Sequence, residues 1–370
     1  MQILWFNWRC WHNPQAGGAE THVKEITTRW VKLGHDVTLF CGKYEGCRER
    51  ERLDGIEVIR KGRPYTVYLY AANEYLRHLK KRTYDLIIDD INGVPFFTPL
   101  YVRRPKIAIL HHLVGDIFFK EIPFEKAILG YAAERSVPLV YHDTPFATVS
   151  NSTKEELMRL GIAESRIRVV HNGIDHNLFK PNPLNKSPYP HVIYFGRIKQ
   201  YKNIDHVLKA FTILVNRLRN EERKRIKLTI AGRGEYEELR KLARGLGISD
   251  NTEFVEETSD SEKVSLLQNA RLYVTASMRE GWGLTAIEAM ACGTPVVGYN
   301  VPGLRDSVVD GKTGFLVPYG DIQRLADAMS RVLYATSLEN RFSKNAHEWA
   351  LNFTWDKTAE EFLEFVEACL

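Results

Sequence analysis

Glu280 and Glu288 lie in the stretch Arg279-Glu-Gly-Trp-Gly-Leu-Thr-Ala-Ile-Glu-Ala-Met-Ala-Cys-Gly-Thr-Pro-Val-Val-Gly298, with seven residues between them. Carboxylates bind vicinal diols well, because each oxygen accepts from a hydroxyl. The element that must position the two acids is legible in the same stretch. An apolar strand, Ala270 to Ala276, leads into a loop whose Gly281 and Gly283 open a turn. A helix follows, with Leu284, Ile287 and Ala291 on one face, and Gly293-Thr-Pro295 stops it. A second apolar strand covers Pro295 to Gly298. Such a strand–loop–helix–strand unit aims its first helical amides outward, here near Gly283, Leu284 and Thr285, as a seat for an anion. A phosphate seated there has Glu280 near one side and Glu288, in the second turn of the helix, near the other. Taken singly, Glu280 is an acid that the helix dipole favours and Glu288 a solvated helix residue. The combination points to a ligand.

Cations of matching use stand earlier in the chain. His191–Phe195 reads as a strand, and Gly196-Arg-Ile-Lys-Gln-Tyr-Lys-Asn203 follows it. Arg197 at the strand exit and Lys202 at the next helix start can clamp a diphosphate from two sides and stabilise it as it leaves. As isolated residues they would be ordinary exposed charges. Near the N-terminus, residues 2–6 read as a buried strand, and Gly17-Gly18 marks the turn into a helix that runs to about Leu33. Glycines at that turn let backbone approach a phosphate or sugar, although most glycine pairs are simply turns. They do not make the Gly-x-Gly-x-x-Gly of a dinucleotide site.

His111 and His112 follow the apolar strand Ile107–Leu110. A histidine at the carboxyl edge of a parallel strand points toward the place where open α/β sheets bind ligands. Asp89-Asp90 ends the strand expected at Asp85–Asp89, where an acid is more often a hydrogen-bond acceptor than a metal ligand. No Asp-x-Asp occurs in the chain, and no metal site is expected. Further strands are expected at Ile56–Arg60, Phe146–Val149, Arg168–Val170 and Ile226–Ala231. Ser150-Asn-Ser-Thr153 reads as a helix cap. A last amphipathic helix runs from about Thr354 to Ala368.

A chain of 370 residues is long enough for two domains of ordinary size. Phe179–Pro190, rich in proline and polar residues, reads as the linker between them. The expected division is 1–180, with the final helix, about 354–370, packing back on it, and 181–353. Five scattered cysteines without a Cys-x-x-Cys pair fit a reducing compartment rather than a disulfide framework. No apolar run reaches the length of a membrane span and no signal peptide is read, so a cytoplasmic protein is expected. The first 180 residues hold 26 Lys/Arg against 21 Asp/Glu and the remainder 25 against 25, so the net charge of +5 sits in the first half. Basic clusters at Arg60–Arg63, Arg77–Arg82 and Arg103-Arg104 would suit an acidic acceptor or an anionic membrane surface. Solvated helix faces explain them equally well. No nucleic-acid partner is expected.

Glu280 and Glu288 at this spacing, with the continuation Cys292–Val317, resemble the Glu-x7-Glu signature of the retaining nucleotide-sugar glycosyltransferases of GT-B fold, the "glycosyl transferases group 1" family (family four). The resemblance extends over nearly the whole chain, and its more specific part lies in the C-terminal half. It also takes in Gly196-Arg197 with Lys202-Asn203, and the Asn172-Gly-Ile-Asp175 turn. It implies an α/β fold of two Rossmann-like domains facing each other across a cleft, with the acceptor on the first and the nucleotide sugar on the second. By the same resemblance the diphosphate is held by Arg197, Lys202 and the amides near Leu284 and Thr285. Glu288 takes the ribose hydroxyls and Glu280 the sugar around its third and fourth hydroxyls. Gly17-Gly18 closes over the donor phosphate, and His111, or His112 beside it, touches the transferred sugar. The implied reaction moves a hexose from a UDP- or GDP-linked donor to a glycan, glycolipid or lipid-linked acceptor, with retention, without metal and without a further cofactor. Peripheral contact with the inner face of a membrane is compatible with such an acceptor, though the resemblance itself does not imply it. Two other readings compete: a nucleotide-sugar epimerase of the same fold, which turns over donor alone, and a non-catalytic nucleotide-sugar-binding module.

Overall fold

A computed structural model describes residues 1–370 as two compact units, Met1–Gly173 with Trp355–Leu370, and Ile174–Thr354. The first unit is built on an eight-stranded sheet: β1 (Gln2–Phe6), β2 (Asp36–Cys41), β3 (Arg50–Leu53), β4 (Ile56–Arg60), β5 (Leu86–Ile91), β6 (Lys106–Leu110), β7 (Phe146–Thr148) and β8 (Ile167–Val169). The spatial order is β3-β4-β2-β1-β5-β6-β7-β8, and all neighbours are parallel except β3 and β4. Ile3, Leu4, Trp5 and Phe6 are all fully buried, as expected of a strand covered on both faces. On one face Trp5 meets Trp30 of the helix Gly18–Lys32 and Phe362 of the helix Trp355–Glu367, with ring centroids 5.8 Å apart in both cases. Trp30 Nε1 donates to the carbonyl of Ala359 at 3.0 Å, which fastens the last helix to the first.

The second unit carries a wholly parallel six-stranded sheet: β9 (His191–Phe195), β10 (Lys227–Ala231), β11 (Thr252–Val255), β12 (Leu272–Thr275), β13 (Val296–Tyr299) and β14 (Gly314–Val317). Its order is β11-β10-β9-β12-β13-β14, so the winding reverses between β9 and β12. Open α/β sheets bind ligands beyond the carboxyl ends of the two strands at such a reversal. In the first unit the reversal falls between β1 and β5.

Two expectations change in detail. Residues 174–180, placed by sequence in the first domain, belong to the second unit. The amide of Ile174 donates to Phe353 O at 3.2 Å, and Gln268 Nε2 donates to Lys180 O at 2.8 Å. Phe179–Pro190 is likewise no free linker. Lys186 Nζ donates to Ala270 O and Thr294 Oγ1, Asn269 Nδ2 donates to Asn185 O, and the Ser187 amide donates to Asn269 O, so the segment is strapped to the second unit. No helix is long and apolar enough to cross a membrane.

Candidate active site

The loops after β9 and β12 carry the sequence-predicted residues of the second unit, one on each side of the reversal. Lys202 and Glu280 meet there, with Nζ 2.6 Å from Oε1, and their side chains are 12% and 18% exposed. Ser277 Oγ donates to the same carboxylate oxygen at 2.6 Å. Burial works against the Lys202 ammonium, but the Glu280 carboxylate outweighs it and holds the pKa above its ordinary value. Arg197 lies on the same loop as Lys202 with its side chain exposed, and its Nη2 donates to Tyr201 Oη at 3.3 Å.

The backbone explains why Glu280 stands where it does. The Met278 amide donates to Tyr201 O, Asn203 Nδ2 donates to Ala276 O, and the Glu280 amide donates to Pro302 O, all at 2.9–3.0 Å. The loop after β12 is thus pinned from both sides, by the loop after β9 and by the loop after β13. Gly303 in the latter has φ 79°, and a Cβ there would overlap the carbonyl oxygen of Glu280.

Gly283 ends the pinned loop, and the helix Leu284–Ala291 starts behind it. Leu284 and Thr285 are its first residues, and their amides belong to the first-turn donors that a helix cannot satisfy internally. The helix is anchored by Ile287, Ala289, Met290 and Ala291, all buried. His347 Nδ1 from the helix Thr336–Ala350 bonds Ala291 O at 2.9 Å. Glu288 projects from the second turn into an ion pair with Lys263, 2.6 Å away. Burial pushes its pKa up, and the lysine offsets part of the shift. Each glutamate therefore has its own lysine: Glu280 with Lys202, and Glu288 with Lys263. Neither Lys263 nor Ser277 is singled out from sequence: Lys263 lies on the helix Asp260–Asn269, which has no glycine or histidine, and Ser277 sits three residues before Glu280 in the glycine loop without a motif of its own.

In the first unit His111 directly follows β6 and is 6% exposed. Its Nε2 lies 3.1 Å from Asp90 Oδ1, and Asp90 Oδ2 accepts from Trp5 Nε1 at 3.1 Å. Trp5, Asp90 and His111 belong to or follow β1, β5 and β6, three adjacent strands. An indole nitrogen only donates, so the second carboxylate oxygen is left to accept from His111, which fixes the proton on Nε2. Thr153 Oγ1 holds the His111 carbonyl at 3.1 Å. His112 is half-buried. Asp89 faces the core, accepting from the Phe96 and Thr98 amides, Thr98 Oγ1 and Tyr141 Oη. Both acids thus serve as hydrogen-bond acceptors, and no group of three or more His, Cys, Asp or Glu side chains is spaced to hold a metal ion.

Gly17 precedes the helix Gly18–Lys32 in an extended conformation, φ −145°, that any residue adopts. Its amide donates to Glu20 Oε2 at 2.7 Å, so the N–H that the sequence offers to a phosphate is already engaged within the first turn. The same helix brings His22 against His111, with centroids 5.0 Å apart. His22 Nδ1 bonds Asn172 Oδ1 at 2.7 Å, and its buried Nε2 has no hydrogen-bond partner.

Two expected outcomes follow for this unit. Asp90→Asn would turn an amide N–H toward His111 Nε2 and move the ring proton to Nδ1. Activity dependent on His111 should then fall about 10- to 100-fold, by analogy with other groups that orient a functional histidine. Nucleotide affinity should be unchanged, and steady-state kinetics with a nucleotide titration checks both. Burial, and then His111, depress the His22 pKa to about 4 from 6.5. Between those pH values the unfolded chain takes up a proton that the folded chain refuses, so stability falls as pH drops below 6.5. The loss reaches roughly 3 kcal/mol by pH 4. Urea unfolding at pH 7 and pH 5 should show this dependence, and His22→Asn should reduce it.

Comparison with known proteins bears on the family and the fold. Residues 16–178 match the family model described as "Glycosyltransferase Family 4", and residues 176–349 match "Glycosyl transferases group 1". The chain is 36% identical to a D-inositol 3-phosphate glycosyltransferase from Catenulispora acidiphila over 230 residues, 57% of this chain and 53% of that protein. The chain spans about half the length of the curated relatives it matches. Among solved structures, sucrose-phosphate synthase from Thermosynechococcus elongatus aligns with TM-score 0.82 at 20% identity over 99% of this chain and 98% of that one. Anabaena HepE, solved in complex with UDP-glucose, aligns with TM-score 0.78 at 19% identity over the whole of both chains. These likenesses establish the GT-B fold.

Proposed function

Because the chain belongs to the glycosyl transferases group 1 family, we propose that it is a retaining glycosyltransferase that moves a hexose from a UDP- or GDP-linked donor to a glycan, glycolipid or lipid-linked acceptor. The observation that carries this reading is the pairing of Lys202 with Glu280 at the sheet reversal, beside a helix start whose second turn presents Glu288. A diphosphate at the amides of Leu284 and Thr285 competes with Glu280 for the Lys202 ammonium. Arg197, on the same loop, supplies a second cation. Drawing Lys202 toward phosphate frees Glu280 to accept from sugar hydroxyls. The ribose hydroxyls fall to Glu288, whose negative charge Lys263 sustains.

As the glycosidic bond breaks, charge grows on the β-phosphate. Each preorganised donor aimed there contributes about 3–4 kcal/mol to the transition state. The acceptor is assigned to the first unit, where His111 contacts the transferred sugar through Nδ1 while Asp90 holds Nε2. Gly17 and Gly18 close over the donor phosphate, which requires the Gly17 amide to exchange Glu20 for the ligand. The departing phosphate assists attack from its own face, so no protein nucleophile takes part, and no metal or further cofactor is needed. The reaction is placed in the cytoplasm, consistent with five free cysteines.

The test is incubation with each radiolabelled UDP- and GDP-hexose, with and without membrane extract, in chelator. Label passing into a glycan or lipid product with the donor's anomeric configuration supports the reading. An inverted product, or a donor altered when incubated alone, overturns it.

A further inference from the structure

Three residues that take no part in the proposed transfer meet at the carboxyl edge of the first unit. Cys41 is the last residue of β2 and Arg60 the last of β4, while Cys10 lies in the loop 7–17 that follows β1. All three are fully buried. The neighbourhood of β1 and β2 continues past the sheet, because the Gly42 amide donates to Trp8 O at 3.0 Å. That bond holds the loop beside the end of β2, and the two thiols are hydrogen-bonded to each other.

The surroundings of Cys10 are those of an anion. Its sulfur accepts from the Cys41 thiol, from the His12 amide and from Arg60 Nε, the last at 3.3 Å. A neutral thiol is a weak acceptor and a poor match for three donors, one of them a buried guanidinium. Arg60 directs Nη1 at Arg48 O and Glu51 Oε1, and its buried Nη2 has no hydrogen-bond partner. The Cys41 hydrogen bond, and after it Arg60, bring the Cys10 pKa down to about 5 from 9.0. Burial and the Cys10 charge push Cys41 the other way. One sulfur is therefore a thiolate, and its neighbour keeps a proton.

We propose that Cys10 and Cys41 form a reversible redox pair, oxidised by hydrogen peroxide to a disulfide that ties the loop before Gly17 to the end of β2. The Cys10 thiolate attacks one peroxide oxygen, the O–O bond breaks, and hydroxide leaves a sulfenic acid on Cys10. The Cys41 sulfur then attacks that sulfur, the S–O bond breaks, and the hydroxyl departs with the Cys41 proton as water. One thiolate, one thiol and one peroxide thus give a disulfide, a water and a hydroxide. In a reducing compartment such a bond is transient, since cellular thiols reverse it by exchange. The loop 7–17 contains no helix or strand, so its local opening admits a molecule little larger than water. Exposure alone would favour other targets. Cys47 and Cys369 are both partly exposed, and the Cys47 sulfur accepts only an amide, that of Tyr44 at 3.3 Å. On the transferase reading the tied loop is the one that carries Gly17 to the donor phosphate; the thiol chemistry does not depend on that reading.

The experiment is graded oxidation of the full chain with hydrogen peroxide, followed by alkylation and peptide mapping by mass spectrometry. Cys10 should be lost about tenfold or more faster than Cys47 or Cys369, and as a disulfide with Cys41 that dithiothreitol restores. Amide exchange across the loop 7–17 should slow on oxidation and recover on reduction. In Cys41→Ala, at unchanged Tm, Cys10 should stop at a sulfenic acid that dimedone traps; the wild-type map stands as the test should that variant unfold. Earlier oxidation of Cys47 or Cys369, a disulfide through Cys47, or Cys10 unreacted in the folded chain would overturn the proposal. Nucleotide binding by the reduced chain is read in parallel: its absence beside an intact Cys10–Cys41 response counts against the transferase reading alone.

Discussion

Lys202→Ala is expected to lower hexose transfer by about 100- to 1,000-fold while the chain keeps its fold. The ammonium is 12% exposed and pinned 2.6 Å from Glu280, so it is preorganised beside the helix start and need not be ordered when charge develops. Its removal leaves Glu280 with Ser277 as hydrogen-bond donor, at a stability cost of about 1–3 kcal/mol once residual solvent access is allowed for. Glu280→Gln separates binding from chemistry. The amide retains an oxygen for Ser277 but no longer competes for Lys202. Nucleotide diphosphate affinity should therefore hold or rise while turnover collapses. A purely structural role for the pair would weaken both quantities together, and steady-state kinetics beside a nucleotide titration distinguishes the two.

Gly303→Ala should be nearly as damaging from outside the ligand's reach. Any Cβ at Gly303 overlaps the Glu280 carbonyl oxygen, and φ 79° adds backbone strain of about 1–3 kcal/mol. The loop carrying Glu280 must then move, and a displacement of about 1 Å at a reacting group costs about 100-fold in rate. Gly311→Ala is the matched control. Its φ of 71° imposes similar strain, but nothing lies within 4 Å of the added carbon. Urea unfolding should register both substitutions, whereas transfer should fall steeply only in Gly303→Ala. Equal losses of activity would show that Gly303 contributes backbone freedom and not the position of Glu280.

Gly303 also marks where sequence reasoning stops. In Val301-Pro-Gly303 it looks like any turn glycine, because its importance comes from a carbonyl 23 residues earlier, brought close by the pairing of β12 and β13. The residue types of the site were legible. Glu280, Arg197 and Lys202 stand at strand exits and helix starts, with Glu288 one turn into the helix after Glu280, and local patterning marks those positions well. Their partners were not. Lys263 reaches Glu288 through tertiary packing, which leaves no periodic trace, and Ser277, three residues before Glu280, caps its carboxylate through a loop conformation that no local pattern announces. Asp90 read as a strand-ending acceptor, but its link from Trp5 to His111 depends on which strands lie side by side.

The fold divides the same way. Buried parallel strands such as β1, β6 and β9 appear as short apolar runs and were found to within about a residue. The strand β3, Arg-Glu-Arg-Leu, has no apolar pattern; it exists because the Asp54-Gly55 turn folds it against β4 at the sheet edge. Phe179–Pro190 has the composition of a linker, yet donors and acceptors some 80 residues away hold it down. Composition reports what a segment is made of, not what it lies against.

The most direct measurement is a calorimetric titration of UDP and of GDP into the full chain in chelator, repeated with Lys202→Ala. One of the two nucleotides should bind the wild type without metal, and the substitution should weaken it by about tenfold or more, the loss of a charge-assisted contact to phosphate. Binding of neither nucleotide, or binding indifferent to Lys202, would contradict the assignment of this site to a nucleotide sugar.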